Sequence, residues 1–292
     1  MGEELRTPAF SRTFGGGTVI TALAAARLGA RVEVVSALPE EAAVRLSGEG
    51  VRVRNLRRSS EPHAVSVALS TRRDRAFVTF DGVNTEIEAR LLTQFSLRLP
   101  SAGHVHLALG PRRLMDWARI LTRLRARGVS TSWDFGWHED LPRRRGFRTL
   151  VRALDWVFVN ERESRLYTGM STLATAAVGW RDIARNVVVK CGAHGAVALV
   201  DGEAAVRMAA PPARVVDTTG AGDAFNGGFL AALVRGATVT DCLKAGVTVG
   251  TLSTRAAGGL DGLPSWRELK RLGHWRAETG HRRAETADRG CP

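Results

Sequence analysis

In the stretch Val215-Val-Asp-Thr-Thr-Gly-Ala-Gly-Asp-Ala-Phe-Asn-Gly-Gly-Phe-Leu230, the turn Gly220, Ala221, Gly222 runs straight into an apolar-periodic segment. Phe225, Phe229 and Leu233 recur there at i, i+4 and i+8, which predicts a helix with one apolar face. The first N–H groups of a helix lack intrahelical acceptors and lie at the positive end of its dipole, so a turn at that end is a site for a phosphate. Glycine lets the backbone approach an anion with no Cβ in the way. Asp223 places a carboxylate at the mouth of that site. A carboxylate aimed at the same phosphate would be repelled. One that faces a second reactant, a hydroxyl whose proton leaves as a phosphoryl group arrives, is useful. The bland alternative is an aspartate that only caps a helix behind a glycine turn.

The elements that must position this string can be read from periodicity. Gly15, Gly16 and Gly17 form a turn before a helix that Gly29 closes, and a strand follows over Arg31–Ser36. Glu40–Leu46 reads as a helix. Over residues 51–82 the pattern changes: Val51–Leu56, His63–Ser70 and Arg75–Phe80 alternate with period two between polar turns, which predicts an antiparallel sheet. From His104 onward strands alternate with helices. Strands are expected at Val105–Leu109, Ser130–Asp134, Trp156–Asn160, Val187–Lys190 and Ala196–Val200, with an amphipathic helix over Pro111–Arg127. This rhythm predicts an α/β fold: a doubly wound, mostly parallel sheet with helices on both faces. One domain is expected over residues 1–272, with a polar, aperiodic and loose tail over 273–292.

The 217–228 string resembles the C-terminal signature of the PfkB (ribokinase-like) carbohydrate kinases, D-T-x-G-A-G-D-x-F-x-x-G, at every fixed position. The resemblance implies that Asp223 is the general base and that Gly220, Ala221 and Gly222 form the anion hole for the γ-phosphate of ATP. It places Asp217 and Thr218 by the nucleotide phosphates, where many members also bind a monovalent cation such as K+. Asn160-Glu-Arg-Glu163 resembles the family's N-x-x-E motif, which implies Asn160 on the ATP side and Glu163 holding Mg2+ through water; taken alone, that spacing also reads as a solvated helix start. Val187-Val-Val-Lys-Cys-Gly-Ala-His-Gly195 resembles the strand and glycine turn near ATP, so Lys190, Gly192 and Gly195 fall on the nucleotide side. Lys190 reads equally as a surface lysine at a strand end. Trp133-Asp134 is similar to a mid-sheet aspartate of the family, and residues 245–259 resemble the helix and loop that close over the adenine. Gly15 and Gly16 resemble the glycines whose helix closes the sugar site, which with Asp223 makes them substrate-binding. Ile20 stands where an asparagine is usual, as in the sulfofructose-kinase-like and ketohexokinase-like branches. The segment over 51–82 resembles the β-lid that covers the sugar and often makes a homodimer.

The pattern departs from the family in two places. No strand ending in an aspartate precedes the first glycines, and Ser36-Ala-Leu-Pro-Glu-Glu runs into a helix where a G-D-D/G-x-D-x-x-G segment is usual. The resemblance therefore implies ATP- and Mg2+-dependent phosphoryl transfer to a hydroxyl of a sugar or sugar-derived small molecule, with a non-catalytic nucleotide- or sugar-binding relative as the alternative. Arg12, Arg72 and Arg73 would meet an anionic substrate if the lid folds as in the family.

Composition narrows the rest. The chain has 292 residues and a net charge of +13, yet among its 42 basic side chains only Lys190, Lys244 and Lys270 are lysines. Arginine is spread along the whole chain, which reads as a coding bias rather than a basic face, so no nucleic-acid partner is expected. No apolar run approaches the roughly 18–20 residues of a membrane span. Cys191, Cys242 and Cys291 are far apart and read as free thiols of a cytoplasmic protein. The apolar stretch from Thr18 to Ala26 superficially resembles a signal-peptide core, but Glu3, Glu4 and the triple glycine favour a structural helix. No Gly-Lys dipeptide occurs, which excludes a Walker A loop. The first glycine turn lacks the preceding strand and following acid of a dinucleotide-binding fold.

Overall fold

A computed structural model describes residues 10, 12–70 and 75–271. The expected tail at 273–292 and the arginines Arg72 and Arg73 lie outside the described residues. The elements run in the order α1 (Gly17–Arg27), β1 (Glu33–Ser36), α2 (Glu40–Gly48), β2 (Arg52–Asn55), β3 (Val65–Ser70), β4 (Arg75–Phe80), α3 (Asn84–Leu97), β5 (His104–Ala108), α4 (Leu114–Arg125) and β6 (Ser130–Asp134). They continue with α5 (Phe147–Ala153), β7 (Trp156–Asn160), α6 (Glu161–Thr168), α7 (Leu173–Arg181), β8 (Asn186–Lys190), β9 (Ala196–Leu199), β10 (Val206–Met208), α8 (Ala221–Leu233), α9 (Val239–Ser253) and α10 (Trp266–Arg271).

The main sheet has six strands in the order β10-β9-β8-β7-β6-β5. Strands β5 to β8 are parallel, whereas β9 and β10 join antiparallel at one edge. Successive side chains point to opposite faces. Trp133, Val157 and Val187 therefore meet Trp117, Leu121 and Leu150 of α4 and α5 on one face. Phe158, Val188 and Ala198 meet Phe225 and Phe229 of α8 and Leu243 of α9 on the other. Both faces are covered, which is why the central strands read as near-continuous apolar runs. Helix α8 packs closely against α1. A Cβ on Gly227 would come 2.6 Å from the Thr21 carbonyl oxygen, so only glycine allows this approach.

The three alternating segments between residues 51 and 82 do not form one antiparallel sheet. β2 pairs parallel with β1, Glu33 opposite Arg52 and Val35 opposite Arg54, through the short crossover α2. Only β3 and β4 form an antiparallel ribbon, Val65 opposite Phe80 and Val67 opposite Val78. The β1–β2 pair is not hydrogen-bonded to β5, although Val35 packs against the same apolar cluster as Leu107 of β5. Residues 1–9, which precede the first glycines, lie outside the described residues, and α1 is the first element described.

Two polar devices fix the elements that approach the site. Glu88 on α3, only 8% exposed, accepts from the Arg112 and Arg113 amides and the Trp117 indole at 2.7, 2.9 and 3.0 Å, which caps α4 from a neighbouring element. Asp217 accepts from Thr219 N and Oγ1 at 2.8 and 2.7 Å and from Gly258 N at 2.9 Å, which ties the loop before α8 to the loop after α9. No helix of the described residues is long and apolar enough to cross a membrane.

Candidate active site

Asp134, Asn160 and Lys190 are the last residues of β6, β7 and β8, so they collect at the carboxyl edge of the parallel strands, with Asn160 directly opposite Lys190. Ligands of open α/β sheets bind along this edge. The N-terminus of α8 is aimed at it. Gly220 precedes α8 in the left-handed region (φ 73°), and a Cβ there would run into Ile20 of α1. No side chain caps α8; Ala221 N–H donates to the Thr218 carbonyl, which leaves the Gly222 and Asp223 amides without an acceptor among the described residues. The sequence fits this geometry. Glycines at 220 and 222 keep the turn bare, and the apolar face from Phe225 to Leu233 locks the helix onto the sheet.

Asp223 stands in the first turn of α8 and retains partial contact with solvent. Thr21 Oγ1 of α1 donates to its backbone carbonyl at 3.0 Å, which leaves the carboxylate for other work. The carboxylate lies against the start of α1: a Cβ on Gly17 would sit 2.9 Å from Asp223 Oδ1. Its surroundings push the carboxyl up to about 7. Burial contributes most, the Asp134 and Glu163 carboxylates add to the shift, and Lys190 opposes it.

Asp134 and Lys190 form an ion pair at 2.6 Å with side chains 12% and 13% exposed. The same Asp134 oxygen accepts from Asn226 Nδ2 at 2.8 Å, and Lys190 Nζ donates to Asn226 Oδ1 at 3.4 Å. Burial alone would lower the Lys190 pKa, but the carboxylates of Asp134 and Asp223 outweigh it and keep the ammonium charged. Beside this group a row of polar side chains crosses the α8 face of the sheet. His104 contacts Ser130 and Ser132 at 2.8 and 2.7 Å, and His106 contacts Ser132 at 2.8 Å. Burial drives both imidazoles down, His106 to about 4 and His104 to about 3, so both are neutral. The buried His106 Nε2 has no partner among the described residues.

Asn160 and Glu163 form a capping box at the start of α6: Asn160 Oδ1 accepts from Glu163 N at 2.9 Å, and Glu163 Oε2 from Asn160 N at 2.8 Å. The motif is a helix start but not a solvated one, since Glu163 is 7% exposed, and burial together with Asp134 raises its pKa. Gly192 and Gly195 flank the turn that follows β8, where Cys191 N–H donates to the Gly195 carbonyl at 2.8 Å and Gly195 packs against the backbone of residues 208–210. Gly15 and Gly16 lie just before α1 with open space around them. The structure thus gathers Asp223, the 220–222 turn, Lys190, Asn160 and Glu163 at one edge. It sets Gly192 and Gly195 beside the β9–β10 hairpin. Asn226 and His106 were missed in the sequence. An asparagine inside an apolar helix and histidines alternating with apolar residues were the available signals.

Residues 2–266 match the pfkB family of carbohydrate kinases. A cytidine kinase of Thermococcus kodakarensis is 36% identical over 135 residues, 44% of this chain and 48% of that protein, so the chain spans about half the length of that relative. A 2-dehydro-3-deoxygluconokinase of Bacillus subtilis is 25% identical over 279 residues, 89% of this chain and 86% of that protein. The solved structure of Arabidopsis thaliana ribokinase complexed with ribose and ATP superposes with a TM-score of 0.73 at 25% identity, over 91% of this chain and 92% of that one. The sheet order, the bare turn before α8 and these matches agree: the fold is ribokinase-like, and the chain belongs to the pfkB family of carbohydrate kinases.

Proposed function

We propose that the chain transfers the γ-phosphoryl group of ATP to a hydroxyl of a sugar or sugar-derived molecule, with Asp223 as the general base. The observation that carries this reading is the placement of Asp223: a half-buried carboxylate with a pKa near 7, one residue beyond a bare glycine turn at a helix N-terminus. An ordinary carboxylate would be a weak base; one near neutrality matches the operating pH. In the step proposed, the acceptor oxygen bonds to the γ-phosphorus as the bond to the β-phosphate oxygen breaks. The hydroxyl proton passes to Asp223, and ADP departs. Within the Gly220, Ala221, Gly222 turn the Ala221 N–H is spent on Thr218, so the Gly222 amide, with that of Asp223, holds the moving phosphoryl oxygens, a role for positioning and charge rather than covalent chemistry.

Asn160, Lys190, Gly192, Gly195, Asp217 and Thr218 would form the nucleotide side, and Gly15 and Gly16 the acceptor side. Lys190 would contribute charge from beneath the turn. No group of three or more His, Cys, Asp or Glu among the described residues is arranged to hold a metal. The residues present fit Mg2+ only together with nucleotide phosphates, which is its common mode. The capping box uses Glu163 Oε2, so Oε1 would orient a metal-bound water. Magnesium bound with ATP would neutralise phosphate charge. We also propose a K+ site by Asp217 and a cytoplasmic location, the latter in keeping with the free, buried thiols Cys191 and Cys242.

The acceptor could be a sugar, a sugar acid or a nucleoside, the classes named by the relatives above. ADP release with Mg-ATP and ribose, 2-dehydro-3-deoxygluconate or cytidine, beside an Asp223→Asn control, tests the reading. Turnover with one acceptor and a loss of about 10²–10⁴-fold in the control is expected. A non-catalytic relative is the second reading, favoured by Ser36-Ala-Leu-Pro-Glu-Glu running into α2 where the family's acidic glycine segment is usual; ATP binding without turnover on any acceptor would establish it. We also propose that the ribbon makes a homodimer. Val65, Val67, Leu69, Val78 and Phe80 share one face and are all exposed.

A further inference from the structure

A buried ion pair is poor value as a stabiliser, because desolvating both charges roughly cancels their attraction. The Asp134–Lys190 pair is buried all the same, and its position suggests another use. It spans the ends of β6 and β8, and through Asn226 it grips α8 one turn beyond Asp223. A Cβ on Gly222 would lie 3.3 Å from Lys190 Nζ, so the ammonium is pressed against the backbone of the turn that leads into Asp223. The second Asp134 oxygen is also occupied, accepting from Gly136 N–H at 3.2 Å. Two of the three ammonium donors of Lys190 are spent inside the protein.

We propose that Lys190, held by Asp134 and Asn226, is a positioning residue that fixes the first turn of α8 and keeps a positive charge beneath the Asp223 carboxylate. The inference rests on the proposed role of Asp223 and deepens it. Of the two sequence alternatives for Lys190, the surface lysine is set aside, since its side chain is 13% exposed. The groups facing Asp223 are few: Gly17 and Thr21 from α1, Asp134 from β6, Glu163 from α6 and Lys190 from β8, with the neutral His106 of β5 next to Asp134 and Lys190. Of these, Lys190 is the sole cation acting on the carboxylate among the described residues. Removing it and removing Asp134 should therefore move Asp223 in opposite directions, which a purely structural role would not do.

The test uses the full chain and two readouts. The Asp223 carboxyl is titrated by carbon-13 NMR without substrates, its signal assigned by loss in Asp223→Asn, and kcat and KM are measured against pH with Mg-ATP. Lys190→Met is expected to raise the Asp223 midpoint by about one pH unit or more and to lower kcat at neutral pH about 10–100-fold, with KM for ATP changed less than about threefold. Asn226→Ala leaves both charges in place, so it should lower kcat while moving the midpoint by less than about half a unit. An unmoved midpoint in Lys190→Met, or a raised KM for ATP at constant kcat, overturns the proposal. Should Lys190→Met fail to fold, Asp134→Asn decides: a lowered midpoint supports the inference, and an unchanged or raised one overturns it. Because the titration needs no turnover, an inactive wild-type chain with opposite shifts would sink the kinase reading and leave the electrostatic role of Lys190 standing.

Discussion

Asp223→Asn should make the protein more stable at neutral and alkaline pH while abolishing its proposed base. Its carboxyl rises from an ordinary 3.8 to about 7. The folded state therefore holds a proton that the unfolded chain has released across that window, and stability falls as pH rises through it. A shift of about three units corresponds to about 4 kcal/mol at most. Asp223 keeps some contact with solvent, which screens part of this, so about 2 kcal/mol is the working figure. An amide is nearly isosteric, and the hydrogen bond linking Asp223 to α1 ends on the backbone carbonyl, so the substitution breaks no tie there. Chemical denaturation of both proteins between about pH 4 and pH 8 measures the difference. The two curves should nearly coincide at the acid end, separate by up to about 1.4 kcal/mol per pH unit, and run parallel above about pH 7. A gain independent of pH, or a variant less stable than wild type at pH 8, would refute the account of Asp223 as a carboxylate strained by burial for its chemistry.

Other outcomes follow from the same geometry. The acid limb of kcat/KM should have its midpoint near pH 7, since the free enzyme must have Asp223 deprotonated to act as a base; a pH-rate profile with the preferred acceptor checks this. Gly17→Ala should lower kcat by about tenfold or more with little change in thermal stability, because the new methyl would sit 2.9 Å from Asp223 Oδ1 and displace it. Glu88→Ala should cost about 2–4 kcal/mol in urea unfolding, as it strips a buried acceptor from two amides and an indole. Val67→Glu should convert a dimer to a monomer in sedimentation analysis without loss of the fold, since the side chain is 54% exposed in the isolated ribbon.

The site was legible in the sequence where its chemistry is contiguous. The turn, the proposed base and the helix that carries them occupy one run from Gly220 to Leu233, so helix-terminus physics could be applied to neighbouring letters. The Asn160–Glu163 box was legible for the same reason, being an i, i+3 relation. Asp134 and Lys190 stand 56 residues apart, and their ion pair exists only because β7 lies between β6 and β8 in parallel register. Strand periodicity says which face a residue takes, not which strand it will neighbour. That limit also explains β2, whose exposed and half-buried residues alternate as in a ribbon strand, although its partner is β1.

The same limit accounts for what the pair does. Asp223 alone, at the end of a helix beside two other carboxylates, would be expected to hold its proton and serve poorly as a base. Lys190 opposes that tendency, yet a lysine free to swing outward would neutralise the phosphates instead. Fastened between Asp134 and Asn226, it acts from a fixed place under the turn, leaving Asp223 near neutrality rather than at either extreme. The carboxyl edge of the sheet supplies the strand ends, and α8 supplies the asparagine. On the proposed reading the contiguous string works as a base only when three distant segments are brought beneath it, and a chain that kept the string while losing Lys190 should bind nucleotide and transfer phosphoryl poorly at neutral pH.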